Sequence, residues 1–251
     1  MPRIFSSSEE CLNPRVERAS VARFFLERAR KVETVGPIRA VIYQDKHPSL
    51  AEERDIAEKK RLLPLLKLNG MQRVLDIGCG TGRWTGSIIE HCRAYHGIDF
   101  SPELIEHARS SYSTSDKLRF SVTSAENYSL ESLKEQLPFD RILCCGVMIY
   151  LNDEDVESAF RCMASVAAPR ARIVLREPVG MGRRLTIKEH FSEELEQSYN
   201  AIYRTQKELE GYMSNTLYTD GFTLATQCDV YEAPLNNRAE TIQRALVLER
   251  A

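Results

Sequence analysis

The stretch Val74-Leu75-Asp76-Ile77-Gly78-Cys79-Gly80-Thr81-Gly82-Arg83-Trp84 decides the fold of this 251-residue chain. A short apolar run comes first, and three glycines at alternate positions follow it. An acid stands two residues before the first glycine. Glycine allows a tight turn and a close approach of the backbone to a ligand. The stretch therefore predicts a strand, a ligand-binding turn and the start of a helix.

The spacing of these glycines differs from two common phosphate-binding motifs. A dinucleotide site expects G-x-G-x-x-G, but Arg83 stands where the third glycine would be. The chain also has no G-x-x-x-x-G-K-[ST] sequence. The carboxylate of Asp76 suits the ammonium group of an amino-acid tail better than a pyrophosphate, and S-adenosylmethionine is a ligand of that kind. A tight turn that binds no ligand is the alternative.

A second acid supports the nucleotide interpretation. Asp99 ends the next predicted strand, within Gly97-Ile98-Asp99-Phe100. In nucleotide-binding folds an acid at this position hydrogen-bonds the ribose hydroxyls. Two acids in register with one glycine turn indicate a nucleoside ligand with an amino-acid tail.

Short β-rich runs alternate with helical runs downstream of Arg73. This spacing predicts βαβ units and a mostly parallel sheet. The predicted strands are 73–77, 94–99, 118–123, 139–145, 171–176, 222–231 and 241–249. The predicted helices between the first five strands are 82–92, 102–112, 130–137 and 154–167.

Amphipathic segments flank this region on both sides. Apolar residues recur at helical spacing in residues 16–33, and a second helical run covers 50–66. Residues 181–213 are polar, contain four tyrosines or phenylalanines, and are predicted to be helical. We therefore expect an N-terminal helical cap over residues 1–66 and an α/β domain over residues 67–251, with an insert at 178–215 after strand 5. The expected fold is α/β and doubly wound, with a mostly parallel seven-stranded sheet.

The region from Arg73 to about Arg176 resembles the class I S-adenosylmethionine-dependent methyltransferases, which have a Rossmann-like fold. The resemblance rests on the glycine turn with its preceding acid and on the acid at the end of strand 2. It implies that S-adenosylmethionine is the cofactor. The residues that it assigns to cofactor binding are Asp76, Gly78, Gly80, Asp99, Phe100, Cys145 and Gly146.

One family position departs from the usual pattern. An Asp commonly contacts the adenine after strand 3, but this chain has Ser124-Ala125-Glu126 there. The backbone of Ala125 and the side chains of Ser124 and Glu126 are the candidates for that contact. Arg83 is a candidate for the cofactor carboxylate, or else a solvated residue of the helix surface.

The elements on either side of the sheet region resemble bacterial methyltransferases of polysaccharide and natural-product pathways. This resemblance rests on Tyr43-Gln44-Asp45 and on residues 199–205, and it implies a two-sided lid over the site. Tyr43 is then expected to reach the cofactor. For the acceptor we expect contacts from Tyr199, Arg204 and Arg184, each of which could instead serve packing or solvation.

Three residues are the candidates for catalysis. His190 and the carboxylate of Glu177 are possible bases if the acceptor is a hydroxyl, because a neutral oxygen is a weak nucleophile. Tyr203 lies four residues from Tyr199 and is expected to share its face. For an amine acceptor, desolvation could suffice without a base.

Composition restricts the partners. The chain is 43% apolar and 28% charged, with a formal net charge of -2. We therefore expect a cytoplasmic protein that binds a small-molecule acceptor, with no nucleic acid or membrane partner. Its oligomeric state is expected to be monomer or homodimer. Seven cysteines without metal-site spacing predict buried thiols and no metal site.

Two other functions use the same sheet. A methyltransferase-like domain without catalysis could act as a binding or scaffold protein, but both predicted ligand-binding acids are intact. A nicotinamide oxidoreductase would require a different glycine spacing. The expected activity is methyl transfer to a hydroxyl or an amine of a small molecule, such as a sugar or a secondary metabolite.

Overall fold

The computed structural model describes residues 14–43, 45–236 and 239–251. Gln44, one of the seven cysteines (Cys11) and the first part of the predicted cap lie outside the described residues. The strands are β1 Arg73–Ile77, β2 Ala94–Asp99, β3 Leu118–Val122, β4 Phe139–Cys145, β5 Ala167–Gly180, β6 Leu185–Ser192, β7 Gln197–Tyr203, β8 Thr223–Asp229 and β9 Thr241–Arg250. The helices are α1 Arg18–Val35, α2 Pro37–Ile42, α3 Pro48–Leu66, α4 Thr85–Ile88, α5 Pro102–Ser111, α6 Asp153–Val166 and α7 Gln206–Ser214.

Seven of these strands form one sheet in the order β3-β2-β1-β4-β5-β9-β8. Strands β1 to β5 are parallel, and β9 runs antiparallel to both β5 and β8. The predicted doubly wound fold is confirmed. The strand order reverses between β1 and β4, and ligands of such sheets bind outside the carboxyl ends of the strands at that point.

Three apolar clusters hold the layers together. Helices α6 and α7 cover one face of the sheet with side chains such as Phe160 and Met213. Helices α3, α4 and α5 cover the other face, where Leu62, Trp84 and Ile105 are buried. The third cluster lies outside the sheet and joins α1 to the insert.

The two long cap helices are confirmed close to their predicted bounds, and α2 is an additional short helix between them. The apolar side of α1 packs against the insert after β5. Phe24 and Phe25 of α1 are in one cluster with Tyr199, Ile202 and Tyr203. The cap and the insert therefore share a core above the sheet.

The insert after β5 differs from the predicted helical segment. Most of residues 181–213 is not helical, because β6 and β7 form a two-stranded antiparallel sheet and only α7 follows as a helix. Branched and aromatic residues such as Ile187, Tyr199 and Ile202 favour strands, and they are buried here against the cap. Thr205 and Glu208 start α7 with a reciprocal capping box.

Two smaller predictions are also corrected. The predicted helix at 130–137 is a series of turns, in which the side chain of Ser129 accepts from the Ser132 amide and that of Ser132 from the Ser129 amide. Such local bonds compete with a helix. The helix predicted at 82–92 is reduced to α4 and a 3₁₀ turn, Ile89–His91.

Candidate active site

A cavity of about 750 Å³ lies at the carboxyl ends of the parallel strands, under the cap and the insert. The turns after β1, β2 and β4 form its floor. Helix α1, the loop after α2 and the β6–β7 hairpin cover it. The cavity is therefore at the position where the reversal of strand order predicts a ligand.

The glycine turn after β1 is packed tightly against the loop after β4. Gly78 has φ +71°, and a Cβ at this position would lie 2.3 Å from Cγ2 of Val147. The amides of Gly78 and Cys79 both donate to the carbonyl of Ile98. Gly78 and Gly80 line the cavity, as the motif predicts.

Asp99 lies on the cavity wall beside this turn and is 7% exposed. Its carboxylate accepts from the amide of Gly80 at 3.0 Å and from the amide of Ser101 at 2.9 Å. Burial raises the pKa of Asp99 to about 6, although the amide hydrogen bonds from Ser101 and Gly80 lower it. A buried carboxylate held in this way is suited to pair with hydroxyls of a ligand.

The predicted adenine contacts also lie on the wall. Phe100 is 38% exposed and meets Phe25 of the cap edge to face, at 5.2 Å between ring centroids. Ser124, Ala125 and Glu126 line the same side of the cavity. Phe100 gives this part of the cavity wall an apolar surface, and Ser124 and Glu126 give it polar groups.

Asp76 lies outside the set of residues that line the cavity, and its contact with the cofactor tail stays a prediction. Asp76 is buried, and its carboxylate accepts from the hydroxyl of Tyr95. Burial raises the pKa of Asp76 to about 7, against the Tyr95 hydrogen bond and the charge of Arg83. Asp76 therefore lies beneath the glycine turn in this structure.

Arg83 lines the cavity but is not solvated. It donates to Asp55 at 2.7 Å and to Glu58 at 2.8 Å, both on α3. Its neighbour Trp84 is buried in the core. The predicted carboxylate contact would therefore have to share this guanidinium with two acids of the cap.

Glu58 is the centre of a buried polar network that the sequence analysis missed. It accepts from Arg83, from Arg176 and from the hydroxyl of Tyr231. Burial opposes its charge, yet Arg176 and Arg83 lower the pKa of Glu58 to about 2. Nothing in the local sequence signals this network, because its members come from α3, the turn before α4, β5 and the segment after β8.

The end of β4 forms the middle of the floor. Cys145, Gly146 and Val147 line the cavity there, as predicted for the first two. Gly146 has φ +73° and its amide donates to the carbonyl of Arg176. The backbone at this point is thus fixed against β5.

Four tyrosine side chains lie close together on the cavity wall. Tyr199 and Tyr203 of β7 are hydrogen-bonded to each other at 3.0 Å, and the hydroxyl of Tyr150 is 3.5 Å from that of Tyr199. Tyr43, in the loop after α2, is hydrogen-bonded to Tyr150. From the sequence, Tyr43 is expected at the cofactor, Tyr199 at the acceptor and Tyr203 in catalysis, and these roles stay predictions. Tyr150, which ends a 3₁₀ turn after β4, is not predicted from the sequence.

The two predicted bases are in different environments. His190 of β6 lines the cavity and pairs with Tyr199 across the hairpin. Glu177 is buried and is not on the wall, because its carboxylate accepts from the amides of Val147 and Met148. Burial raises its pKa to about 7, against the charge of Arg176. The role of Glu177 as a base stays a prediction; in this structure its Oε1 holds the β4 loop, and its Oε2 has no hydrogen-bond partner among the described residues.

Arg184 and Arg204 are also corrected as acceptor contacts. Both guanidinium groups bind Asp153 at the start of α6, and neither residue is among those that line the cavity. Arg204 is 2% exposed and donates to the carbonyls of Met148 and Leu151 as well. These arginines fasten the insert to the sheet.

No cluster of potential metal ligands occurs within the ranges that the structure describes. In the same ranges no helix is both long enough and apolar enough to cross a membrane. The six described cysteines form no disulfide.

Comparison with known proteins agrees with this geometry. The family model of a methyltransferase domain matches residues 74–170. Nodulation protein S of Rhizobium tropici is 28% identical over 122 residues, which are 47% of this chain and 49% of that protein. Phosphoethanolamine N-methyltransferase 1 of Caenorhabditis elegans is 32% identical over 114 residues, 45% of this chain and 23% of that protein. The chain thus matches about half the length of the first relative and about a quarter of the second.

A solved structure extends the likeness to most of the chain. Phosphoethanolamine N-methyltransferase 1 of Haemonchus contortus, in complex with phosphoethanolamine and S-adenosylhomocysteine, superposes with a TM-score of 0.66 at 18% identity. The superposition covers 92% of this chain and 50% of that protein, and at this identity it establishes the fold. Residues 74–170 therefore match a methyltransferase domain, and the chain as a whole has the fold of that solved methyltransferase.

Proposed function

We propose that this protein transfers the methyl group of S-adenosylmethionine to a nucleophilic atom of a small molecule. One observation carries the proposal: a single covered cavity joins the glycine turn and Asp99 at one end to the tyrosine hydroxyls at the other. The first end has groups suited to a nucleoside. The second end has room and polar groups for an acceptor.

The residues present fit the cofactor. The backbone at Gly78 is left-handed, and a Cβ there would collide with Val147. Only glycine therefore allows this turn to line the cavity so close to the β4 loop. The Asp99 carboxylate is suited to accept from ribose hydroxyls, and Phe100 offers an apolar surface for adenine. The cofactor supplies an electrophilic methyl group on a positively charged sulfur, and an in-line displacement then needs positioning more than activation.

The protein's own contribution is positioning and exclusion of water. Phe25 of the cap closes over Phe100, and the hairpin covers the acceptor end. A reaction held in this way gains from the fixed geometry of its partners and from desolvation of the nucleophile. The covered cavity also favours a small acceptor over a nucleic acid.

Cofactor binding is the first test. Isothermal calorimetry should show binding of S-adenosylmethionine and S-adenosylhomocysteine and none of NAD. Asp99→Ala should weaken S-adenosylhomocysteine by about 1–3 kcal/mol, because buried ribose hydroxyls lose a partner. Asp229→Ala on the edge strand β8 is the matched control and should leave the affinity unchanged.

Three results would contradict the proposal. Preferential binding of NAD would indicate oxidoreductase chemistry. Unchanged affinity in Asp99→Ala would show that the nucleoside is bound elsewhere. Cofactor binding without turnover of any acceptor would favour the binding or scaffold function.

A further inference from the structure

The acceptor end of the cavity is walled by neutral hydroxyl groups. Tyr43, Tyr150, Tyr199 and Tyr203, here called the tyrosine cluster, all line the cavity and come from three separate parts of the chain. Tyr150 is 9% exposed, Tyr199 is 6% and Tyr203 is 3%. So many buried hydroxyls beside one another at the end of a cavity form a polar surface that water reaches poorly.

This cluster borders the end of β4. The 3₁₀ turn Met148–Tyr150 follows directly on Gly146 and Val147, which line the floor. The hydroxyl of Tyr150 is 3.5 Å from that of Tyr199 in the hairpin. The hydroxyl of Tyr199 is in turn 3.0 Å from that of Tyr203. A nucleophile that approaches the floor at β4 therefore passes the tyrosine cluster.

The cluster consists of weak bases. Burial raises the pKa of Tyr43 to about 12 and raises that of Tyr150 above its ordinary value. The phenolate forms of Tyr43 and Tyr150 are thus disfavoured, and neutral hydroxyls cannot remove the proton of an alcohol efficiently. They can accept a hydrogen bond and orient the atom that donates it.

Two buried carboxylates do not line this end. Oε1 of Glu177 accepts from two amides of the β4 loop while its Oε2 has no hydrogen-bond partner in the described structure, and Asp76 is held by Tyr95 beneath the glycine turn. Neither residue lines the cavity. His190 is the remaining predicted base on the wall.

Carboxylates that line the cavity are here called the rim. Glu193 forms no ion pair within the described parts of the chain, and the charge of Glu126, after that of Asp155, raises the pKa of Arg18, which also lines the cavity. The rim carboxylate of Asp155 is paired with Arg18. Unneutralised carboxylates at an entrance attract a cationic molecule over a neutral or anionic one.

On the proposed methyltransferase function, we infer that the acceptor's nucleophile is an amine, oriented by hydrogen bonds to the tyrosine cluster. The protonated amine is attracted by the rim and releases its proton to water as it enters the less polar interior, where burial disfavours the charged form. The neutral nitrogen keeps its lone pair for the methyl group, and its N–H groups donate to tyrosine oxygens. The nitrogen–carbon bond forms as the sulfur–carbon bond breaks, and the sulfur retains that electron pair. The methylated ammonium product loses its extra proton to water after release.

Matched acceptor pairs test this inference. The full chain is assayed for S-adenosylhomocysteine formation with ethanolamine and ethylene glycol, with glucosamine and glucose, and with 2-phenylethylamine and 2-phenylethanol. The melting temperature of the S-adenosylhomocysteine complex is measured with each compound, so that binding is detected without turnover. In at least one pair the amine should exceed its alcohol by about tenfold in rate or affinity.

Hydroxyl deletions identify the residues. Tyr199→Phe and Tyr150→Phe should each lower the rate or affinity with the preferred amine by about tenfold and leave S-adenosylhomocysteine affinity unchanged. Tyr128→Phe is the control, because the Tyr128 hydroxyl is buried, does not line the cavity and has no hydrogen-bond partner in the described structure. Two variants are used so that a folding defect in one does not decide the result.

The inference is overturned if each alcohol equals or exceeds its amine in both measurements, including the case in which neither compound has any effect. It is also overturned if Tyr128→Phe lowers the rate or affinity with the preferred amine as much as Tyr199→Phe and Tyr150→Phe do. Failure of S-adenosylhomocysteine to bind at all would instead refute the methyltransferase function. The two failures are therefore distinguishable.

Discussion

Asp45 accepts a hydrogen bond from each terminal guanidinium nitrogen of Arg28, at 2.7 Å in both cases, and this pair holds the loop that carries Tyr43 over the cavity. The Arg28 side chain is fully buried and also lies over the Tyr43 ring, 5.4 Å from its centroid. Asp45 also accepts a hydrogen bond from the ammonium group of Lys31. The same ammonium group donates to the carbonyl of Leu195 in the hairpin. One acid therefore connects both parts of the lid.

Asp45→Asn should lower the free energy of unfolding by about 1.5–3 kcal/mol, because Arg28 loses a charged partner inside the protein. For a chain of this size the melting temperature should fall by roughly 2–4 °C for each kcal/mol. The control is Asp116→Asn, since Asp116 is fully exposed in its pair with Arg119. Equal melting temperatures for the two variants would show that the Arg28–Asp45 pair is not needed to hold the loop.

Gly78→Ala should destabilise the protein and weaken cofactor binding, because the added Cβ collides with Val147 at a positive φ. Gly36→Ala is the matched control for backbone strain, since Gly36 has φ +85° with nothing within 4 Å of an added Cβ. Thermal unfolding of both variants separates the collision from the strain. Gly78→Ala combined with Val147→Ala should recover part of the loss, and no recovery would contradict a steric cause.

Cofactor binding should slow hydrogen exchange in residues 43–48. Tyr43 lines the cavity, and the amide of Lys46 donates to Glu194 of the hairpin at 2.8 Å, so a bound ligand stabilises both sides of this connection. Amides of β8, which is remote from the cavity, are the internal control. Exchange that is unchanged in residues 43–48 with saturating S-adenosylhomocysteine would argue against a mobile cap.

His190→Ala should reduce turnover while leaving S-adenosylhomocysteine affinity nearly unchanged, because His190 is on the acceptor side of the cavity. With a hydroxyl acceptor the loss should be roughly 10²–10⁴-fold if His190 is the base. With an amine acceptor, for which no base is required, the loss should be much smaller. His91→Ala, an exposed histidine away from the cavity, is the control. A loss of cofactor affinity equal to the loss of turnover would place His190 outside the acceptor subsite.

The ligand-free protein should become less stable as the pH rises from about 4 to 7. Burial raises the pKa of Asp76 from 3.8 to about 7, so the folded protein binds more protons than the unfolded chain in this range. Stability then falls with increasing pH, which is opposite to the effect of a salt-bridged acid. Asp76→Asn should flatten this decline because its amide oxygen still accepts from Tyr95, whereas Asp229→Asn should not. Melting curves across this pH range with equal slopes for wild type and Asp76→Asn would refute the assignment.

The sequence by itself determined the sheet and the part of the cavity wall that contains the glycine turn and Asp99. The alternation of strands and helices is a local pattern, and Gly78, Gly80 and Asp99 follow their strands at fixed spacing. Because the strands are parallel, their carboxyl ends meet at one edge, and the residues that follow them meet there too. The positions of Asp99 and Phe100 at this edge of the sheet therefore follow from the sequence pattern alone.

Only the tertiary structure decided which charged residues face the cavity. Arg83 is bound by Asp55 and Glu58 of α3, Glu177 is turned to the amides of the β4 loop, and Arg204 binds Asp153. A buried charge takes whichever partner the packing brings near, and these partners are 25 to 51 residues away in sequence. The β6–β7 hairpin also depends on tertiary structure, because its branched and aromatic residues are buried against α1. The tyrosine cluster exists only because three distant segments converge on one end of the cavity.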